Sequence, residues 1–536
     1  MAELYLILPG QALPDGDTEE VGNKAWNLMR MTQVGLPVPA AFVLPTSWCG
    51  RTQTRDEPAL RRALDEGIAR LEAATGLGFS AARKPLLVSV RSGAAVSMPG
   101  MMETVLDVGL NLETVEGLIR TTGNPRLAWD SYRRLVQGYA EVVANLPTQA
   151  FDRLVAAEIV RTGAENERDL DHRSLRSLTL AMLNTYRALT GADFPCDPRA
   201  QLAAAAAAVF RSWDAPRAAS YRKLNGIRDD AGTAVTVQTM VYGNAGGGSG
   251  AGVGFTRNPA TGEREFYFDF QFNAQGEDVV AGRQQLRDDE RLRQLLPTVW
   301  ARLGQICREL EATFADAQDF EFTVQSGVLF LLQTRRAKRT DWAALAIAVD
   351  MVEEGVLTPS DGLLRLDGID LDAVARTRFV PPVPPTLAVA QVASMGVASG
   401  AIALDPDAVK RLAAAGTPAI LVRRETVTTD IDGMALADGI LTASGGRTSH
   451  AAVVARQLGK VCLVSCPGLE IDFDRRECRI GGKKFDEGEF LSLDRNTGAI
   501  HAGRLTLQTE RPERALAAIA LWRQAAAVGL HEPAVS

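Results

Sequence analysis

The chain has 536 residues, 46% of them hydrophobic and 23% charged, and a net charge of −7. That length buries the cores of about two to four globular domains, and the negative balance argues against a general nucleic-acid or anionic-membrane binder. Any polyphosphate site must then be a local basic pocket in an acidic protein.

The scattered Cys49, Cys196, Cys307, Cys462, Cys466 and Cys478 form no C-x-x-C pair and no zinc-spaced set. Cys462 and Cys466, which flank a strand end, read as core thiols, and a reducing compartment fits. The start, Met-Ala-Glu-Leu-Tyr, has no basic n-region, and no apolar run reaches spanning length. A cytoplasmic protein with no membrane or nucleic-acid partner is expected.

In chain order, Gly22-Asn23-Lys24 precedes a helical pattern that stops at Gly35-Leu36-Pro37. A lysine beside a glycine at a helix start suits a phosphate, and an isolated one is as readily solvated. Leu86–Val90 reads as a buried strand leading into Arg91-Ser92-Gly93. An arginine at a strand's end can grip phosphate oxygens in bidentate fashion, or form a surface ion pair. From Leu127 to about Leu224 the pattern is helical, with Arg133 and Arg134 near its start as further candidate phosphate contacts.

Thr233–Tyr242 alternates like a strand and runs into the glycine-rich Gly243–Gly254. A G-x-G-x-x-G pattern can be extracted there, but no acidic residue stands at the distance a dinucleotide site needs. Asp319-Phe320-Glu321-Phe322 also alternates, so both carboxylates project from one face of a strand. A Ser-Gly turn leads to a second strand ending in Leu332-Gln333-Thr334-Arg335. Paired carboxylates near basic groups suit Mg²⁺, and the polar outer face of a hairpin accounts for them equally well.

Pro381-Pro382-Val383-Pro384-Pro385 predicts a stiff polyproline spacer. Beyond it, short apolar strands and glycine turns from Leu387 to about Leu493 read as a compact α/β unit. Within that unit the strand-like Gly439-Ile440-Leu441-Thr442 is followed by Gly445-Gly446, and then by a helix-forming run that Thr448 or Ser449 can cap. His450 falls in the first helical turn, where free N–H groups and the dipole favour an anion and a neutral imidazole. Such a histidine can attack a phosphoryl group, or simply pack at a helix start.

At this run the sequence resembles a known family. Gly-Gly-Arg-Thr-Ser-His-Ala-Ala-Val-Val-Ala-Arg, residues 445–456, is similar to the phosphohistidine signature of pyruvate, phosphate dikinases. The Thr-Ser before His450 favours these over phosphoenolpyruvate synthases. Gly22–Leu28, Ser89–Ala94, Met98–Thr104, Thr256–Glu263, Asn273–Gly282, Asp319–Thr323 and Leu332–Arg335 follow the family pattern too, with Asn23, Ala25 and Asp269 as departures.

The resemblance implies an α/β and α+β multidomain chain. An ATP-grasp nucleotide-binding domain spans 1–340, with a helical insertion at about 110–225. A helical and Pro-rich linker spans 341–386, a swivelling phosphohistidine β/β/α domain 387–505, and a C-terminal helical tail 506–536. It implies nucleotide contacts from Lys24, Arg91, Gln238, Met240, Asp319, Glu321, Gln333 and Arg335. Asp319, Glu321 and Gln333 would hold Mg²⁺, and His450 would be the nucleophile. Thr448 matches a regulatory phosphorylation site of some members.

The expected activity converts ATP and phosphate to AMP and pyrophosphate through phosphohistidine, with pyruvate as final acceptor. The resemblance ends near residue 525, short of the family's (β/α)₈ barrel, so a separate barrel protein is expected to bind pyruvate. A phosphotransferase with another acceptor and a non-catalytic ATP-binding regulatory subunit are the alternatives.

Overall fold

The computed structural model describes residues 4–14, 17–53, 57–96, 98, 101–265, 267–276, 289–392, 396–445, 451, 454–455, 458–494 and 497–529. The chain is mixed α/β and divides into two compact units. Among the described residues, one unit runs to Ala337 without the loop Arg257–Glu265. The other holds that loop and the chain from Lys338.

The first unit contains β1 (Tyr5–Ile7), β2 (Ala41–Leu44), β3 (Val88–Gly93), β4 (Thr104–Val108) and β5 (Ala234–Thr239), in the sheet order β1-β2-β5-β3-β4. The late strand β5 sits at the centre of the sheet and is buried on both faces from Ala234 to Gln238. The helices that precede it start where the sequence says they should. Asn124, Asp171 and Asp197 cap Pro125–Val142, His172–Thr190 and Pro198–Arg211, and proline opens the first and last. Their apolar faces (Tyr132, Val136, Leu175, Val209, Phe210) share one core with Val88, Val90, Val235 and Val237.

The second sheet is β7-β6-β8-β9, from β6 (Gly250–Phe255), β7 (Tyr267–Phe272), β8 (Gln318–Gln325) and β9 (Val328–Arg336). Phe268, Phe270, Phe320 and Phe322 are buried in a core with Leu28 and Met31 of the helix Thr18–Gln33 and with Leu303, Ile306 and Leu310 of Pro297–Phe314. This explains part of the glycine-rich run. A Cβ on Gly250 would stand 2.2 Å from the Phe270 ring, and one on Gly252 2.4 Å from the Phe322 ring. Residues 250–255 are therefore a strand whose bare face admits aromatic rings.

The second unit contains β10 (Arg376–Phe379), β11 (Thr386–Val389), β12 (Gln391–Val392), β13 (Val397–Ala403), β14 (Ala419–Arg423), β15 (Gly439–Thr442), β16 (Val461–Val464), β17 (Glu470–Asp472), β18 (Glu477–Ile480), β19 (Lys483–Asp486), β20 (Phe490–Asp494), β21 (Ala499–Ala502) and β22 (Leu507–Glu510). Its main sheet runs β11-β21-β20-β13-β14-β15-β16-β12, with β13 to β16 mutually parallel. Strands β17-β18-β19 form a small meander, and β10 pairs with β22. The proline-rich segment lies between β10 and β11, where Val380 N–H donates to Thr506 O and the His501 ring bonds Pro384 O at 2.8 Å. Among the described residues no helix is long and apolar enough to cross a membrane.

Candidate active site

The helix Thr18–Gln33 starts twice. Asp17 caps its first turn by accepting from the N–H groups of Glu19 and Glu20. Gly22 then leaves helical geometry at φ 77°, ψ 149° before the helix resumes. A Cβ there would lie 2.0 Å from the carbonyl oxygen of Gly93, so only glycine permits the approach. Asn23 N–H donates to Ala94 O at 3.0 Å. These contacts set Lys24, at the head of the resumed helix, beside the end of β3. Burial pushes its ammonium down to about 7, the Arg91 and Arg335 guanidiniums push the same way, and Glu321 opposes them.

Arg91 lies within β3 rather than at its end, and it reaches from the first sheet to the second. Its Nη1 donates to Gln238 Oε1 at 3.4 Å and to Leu332 O at 3.3 Å, and its Nη2 is 3.6 Å from Glu321 Oε2. Gln238 is buried on β5, where its Nε2 donates to Pro39 O at 3.3 Å. Met240, just past β5, donates its N–H to Leu87 O at 2.9 Å and packs half-buried against the first core.

The β8–β9 register sets Asp319 opposite Arg335 and Glu321 opposite Gln333. Arg335 Nε donates to Asp319 Oδ2 at 2.7 Å, and Gln333 Nε2 donates to Glu321 Oε1 at 3.3 Å. Burial raises the Asp319 carboxyl against the pull of Arg335, and Glu321 adds to the rise. Val253 is opposite Asp269 on one side and Glu321 on the other, so Asp269, Glu321 and Gln333 share one row across the sheet. Sequence reasoning noted Asp269 only as a departure from the family. The G-x-G-x-G spacing of β6 opposite alternating phenylalanines was the signal that could have placed it.

Three cations (Lys24, Arg91 and Arg335) and two carboxylates thus meet where the two sheets approach. Among the described residues no group of three or more His, Cys, Asp or Glu side chains gathers as a metal cage. Two carboxylates and one amide oxygen nevertheless fit Mg²⁺, which takes few protein ligands and completes its shell with phosphate oxygens and water. Gln333 gives its amide N–H to Glu321, and its oxygen can face a cation.

Arg133 and Arg134 are used differently. They close on Asp130 at 3.0 and 3.1 Å, and Arg133 also stands 3.9 Å from Glu167. Burial would raise the Asp130 carboxyl, but Arg134, Arg133 and Arg126 hold it well below the usual carboxylate range. The pair belongs to a buried ion network that ties the helix together.

In the second unit β15 ends at Thr442, whose hydroxyl donates to Ser444 O at 2.7 Å. Ser444 Oγ donates to Arg424 O at 3.0 Å, and Ser465 Oγ donates to Gly445 O at 2.7 Å. Gly445 takes φ 102°, and the backbone is helical again at Ala451 and at 454–455. Ala451 and Ala455, one turn apart, are buried with Ile440 and Val464. His450 and Thr448 themselves lie outside the described residues.

Two domain families match this chain. Residues 57–294 match the AMP/ATP-binding domain of pyruvate phosphate dikinase, and residues 416–498 match the mobile domain of PEP-utilising enzymes. The chain is 42% identical over 509 residues to pyruvate, phosphate dikinase of Clostridium symbiosum, covering 94% of this chain and 58% of that protein. It is 43% identical over 504 residues to the Giardia intestinalis enzyme, covering 92% and 56%. With the Rhizobium meliloti enzyme it shares 40% over 522 residues, covering 94% and 58%. The chain thus spans a little over half the length of these relatives. It carries an AMP/ATP-binding domain of the pyruvate phosphate dikinase type and a PEP-utilising mobile domain, and over more than nine-tenths of its length it is homologous to pyruvate, phosphate dikinases.

Proposed function

We propose that the chain is a dikinase-type phosphotransferase, with an ATP-grasp nucleotide site in the first unit and a swivelling phosphohistidine carrier in the second. The observation that carries this reading is the meeting of Lys24, Arg91 and Arg335 with Asp319 and Glu321. Three cations offset the charge of a triphosphate, and two carboxylates with Gln333 would hold Mg²⁺. That ion, when bound, would neutralise charge developing on the phosphoryl oxygens.

In this reading an imidazole nitrogen of His450 attacks the β-phosphorus of ATP. The bridge to the α-phosphate breaks, and AMP leaves from pyrophosphohistidine. Inorganic phosphate then attacks the terminal phosphorus, so that pyrophosphate departs and phosphohistidine remains. Arg91 and Lys24 position the polyphosphate, Gln238 holds Arg91 in place, and Met240 supports the site beside β5. The transfer needs in-line positioning and charge neutralisation more than acid–base help. In this reading the final acceptor is pyruvate, presented by a pyruvate-binding barrel. The site of action is the cytoplasm.

The test is incubation with β-³²P-ATP and Mg²⁺. Acid-labile label on the chain, lost in His450→Ala, is expected. An unlabelled wild type would overturn the phosphotransferase reading in favour of an ATP sensor. Adding pyruvate together with a barrel-bearing protein should release label from the chain.

A further inference from the structure

The second unit carries a cleft of about 650 Å³ that the reading above does not use. It is lined by Arg424, Ala443 and Ser444, and across from them by residues 469–472, 475 and 477–479. Its place in the fold is informative. Arg424 follows β14, Ala443 and Ser444 follow β15, and Leu469 leads into β17 after β16. The three parallel strands β14, β15 and β16 are adjacent, and the cleft opens beyond their carboxyl ends. In open α/β sheets that is where ligands bind, and the volume lies within the roughly 300–1,000 Å³ of small-molecule sites.

The charges inside it select the ligand. Of its three carboxylates, Glu477 pairs with Lys484, and Glu470 is opposite Arg479 in the β17–β18 register. Asp472 Oδ1 accepts the N–H groups of Asp474 and Arg475 at 3.1 and 2.9 Å. Arg475 Nε is 3.9 Å from Asp472 Oδ2, beyond hydrogen-bond reach. Arg424 gives Nη2 to the carbonyl of Ile471 at 3.1 Å, which orients the guanidinium without neutralising it. A planar guanidinium held in this way, with Arg475 lining the same cleft, suits a tetrahedral oxyanion.

We propose that this cleft is a phosphoryl-oxyanion site on the carrier unit, anchored by Arg424 and completed by Arg475. Two sources share that chemistry, free inorganic phosphate and a phosphoryl group carried by the chain itself. The second source rests on the carrier reading above, and the first does not.

For free phosphate, amide hydrogen exchange of the full chain is followed with and without inorganic phosphate, in the absence of ATP. Phosphate should protect the amides of residues 469–479, with a binding constant weakened about tenfold in Arg424→Ala and partly restored in Arg424→Lys. For the carried group, the ³¹P shift and hydrolysis rate of the labelled histidine are compared in the wild type and Arg424→Ala. A faster loss of label in the variant would assign the cleft to the carried phosphoryl. Phosphate protection that persists in His450→Ala would assign it to the free ion. The proposal is overturned if Arg424→Ala changes neither the protection nor the phosphohistidine lifetime. Failure of the chain to be labelled by ATP would instead sink the carrier reading, and would leave the exchange measurement intact. Arg424 is exposed and keeps no core in place, so both variants should fold, which far-UV circular dichroism checks.

Discussion

Arg91 on β3 and Glu321 on β8 stand 3.6 Å apart, an ion pair that spans the two sheets of the first unit. Both are only partly exposed, at 15% and 25% of the side chain, so the pair is screened less than a surface one. Each has a second partner at hand, Gln238 for the arginine and Gln333 for the glutamate. A polyphosphate and a cation entering between them would replace one attraction with two.

Asp319→Ala and Glu321→Ala are therefore expected to leave the fold intact while reducing Mg²⁺·ATP-dependent labelling of His450 by about 10²-fold or more. Labelling at the wild-type rate in both variants would remove the metal assignment.

Lys24 gives a pH dependence with a definite sign. Its ammonium titrates near 7 without ligand, and a bound polyphosphate raises that value. The charge-dependent part of the affinity is then fully present below pH 7 and is lost as pH rises above it. At pH 8 nucleotide binding should take up a proton, seen by calorimetry in buffers of different ionisation enthalpy. Lys24→Met should abolish the uptake and flatten the profile.

Gly22→Ala forces a Cβ to within 2.0 Å of the Gly93 carbonyl and demands φ 77° of alanine. We expect a loss of about 2 kcal/mol or more in urea unfolding, together with weaker nucleotide binding, because Lys24 moves with that turn. Gly10→Ala, with a similar φ of 76° and nothing within 4 Å, is the control and should keep nucleotide affinity.

Gly252→Ala separates a packing role from a phosphate-loop role. The added methyl would meet the Phe322 ring, so about 1–3 kcal/mol of stability should be lost. Among folded molecules nucleotide affinity should be unchanged, and a selective loss of affinity would show that the glycine serves the ligand.

Thr448→Asp tests an electrostatic block. A carboxylate two residues before His450 repels the anionic intermediate, so labelling should slow, while Thr448→Val should label normally. Equal rates for the two variants would leave Thr448 as no more than a helix cap.

Several features of this protein were legible in the residues themselves because the physics there is local. Period-2 alternation placed Asp319 and Glu321 on one face of a strand, and the register then set Arg335 and Gln333 opposite them. The apolar spacing from Leu127 to about Leu224 read as helical, which the helices Pro125–Val142, His172–Thr190 and Pro198–Arg211 bear out. The residues around His450 carried a family resemblance specific enough to name. Tertiary structure alone decided the rest. The Gly22–Gly93 approach joins segments about 70 residues apart, and the burial that shifts Lys24 exists only once both sheets close on it. Arg91, Arg133 and Arg134 look alike as sequence. Yet Arg91 reaches the carboxylate pair, while the other two are consumed by Asp130. A guanidinium's role depends on which carboxylate the fold brings within about 4 Å of it, and no local pattern encodes that distance.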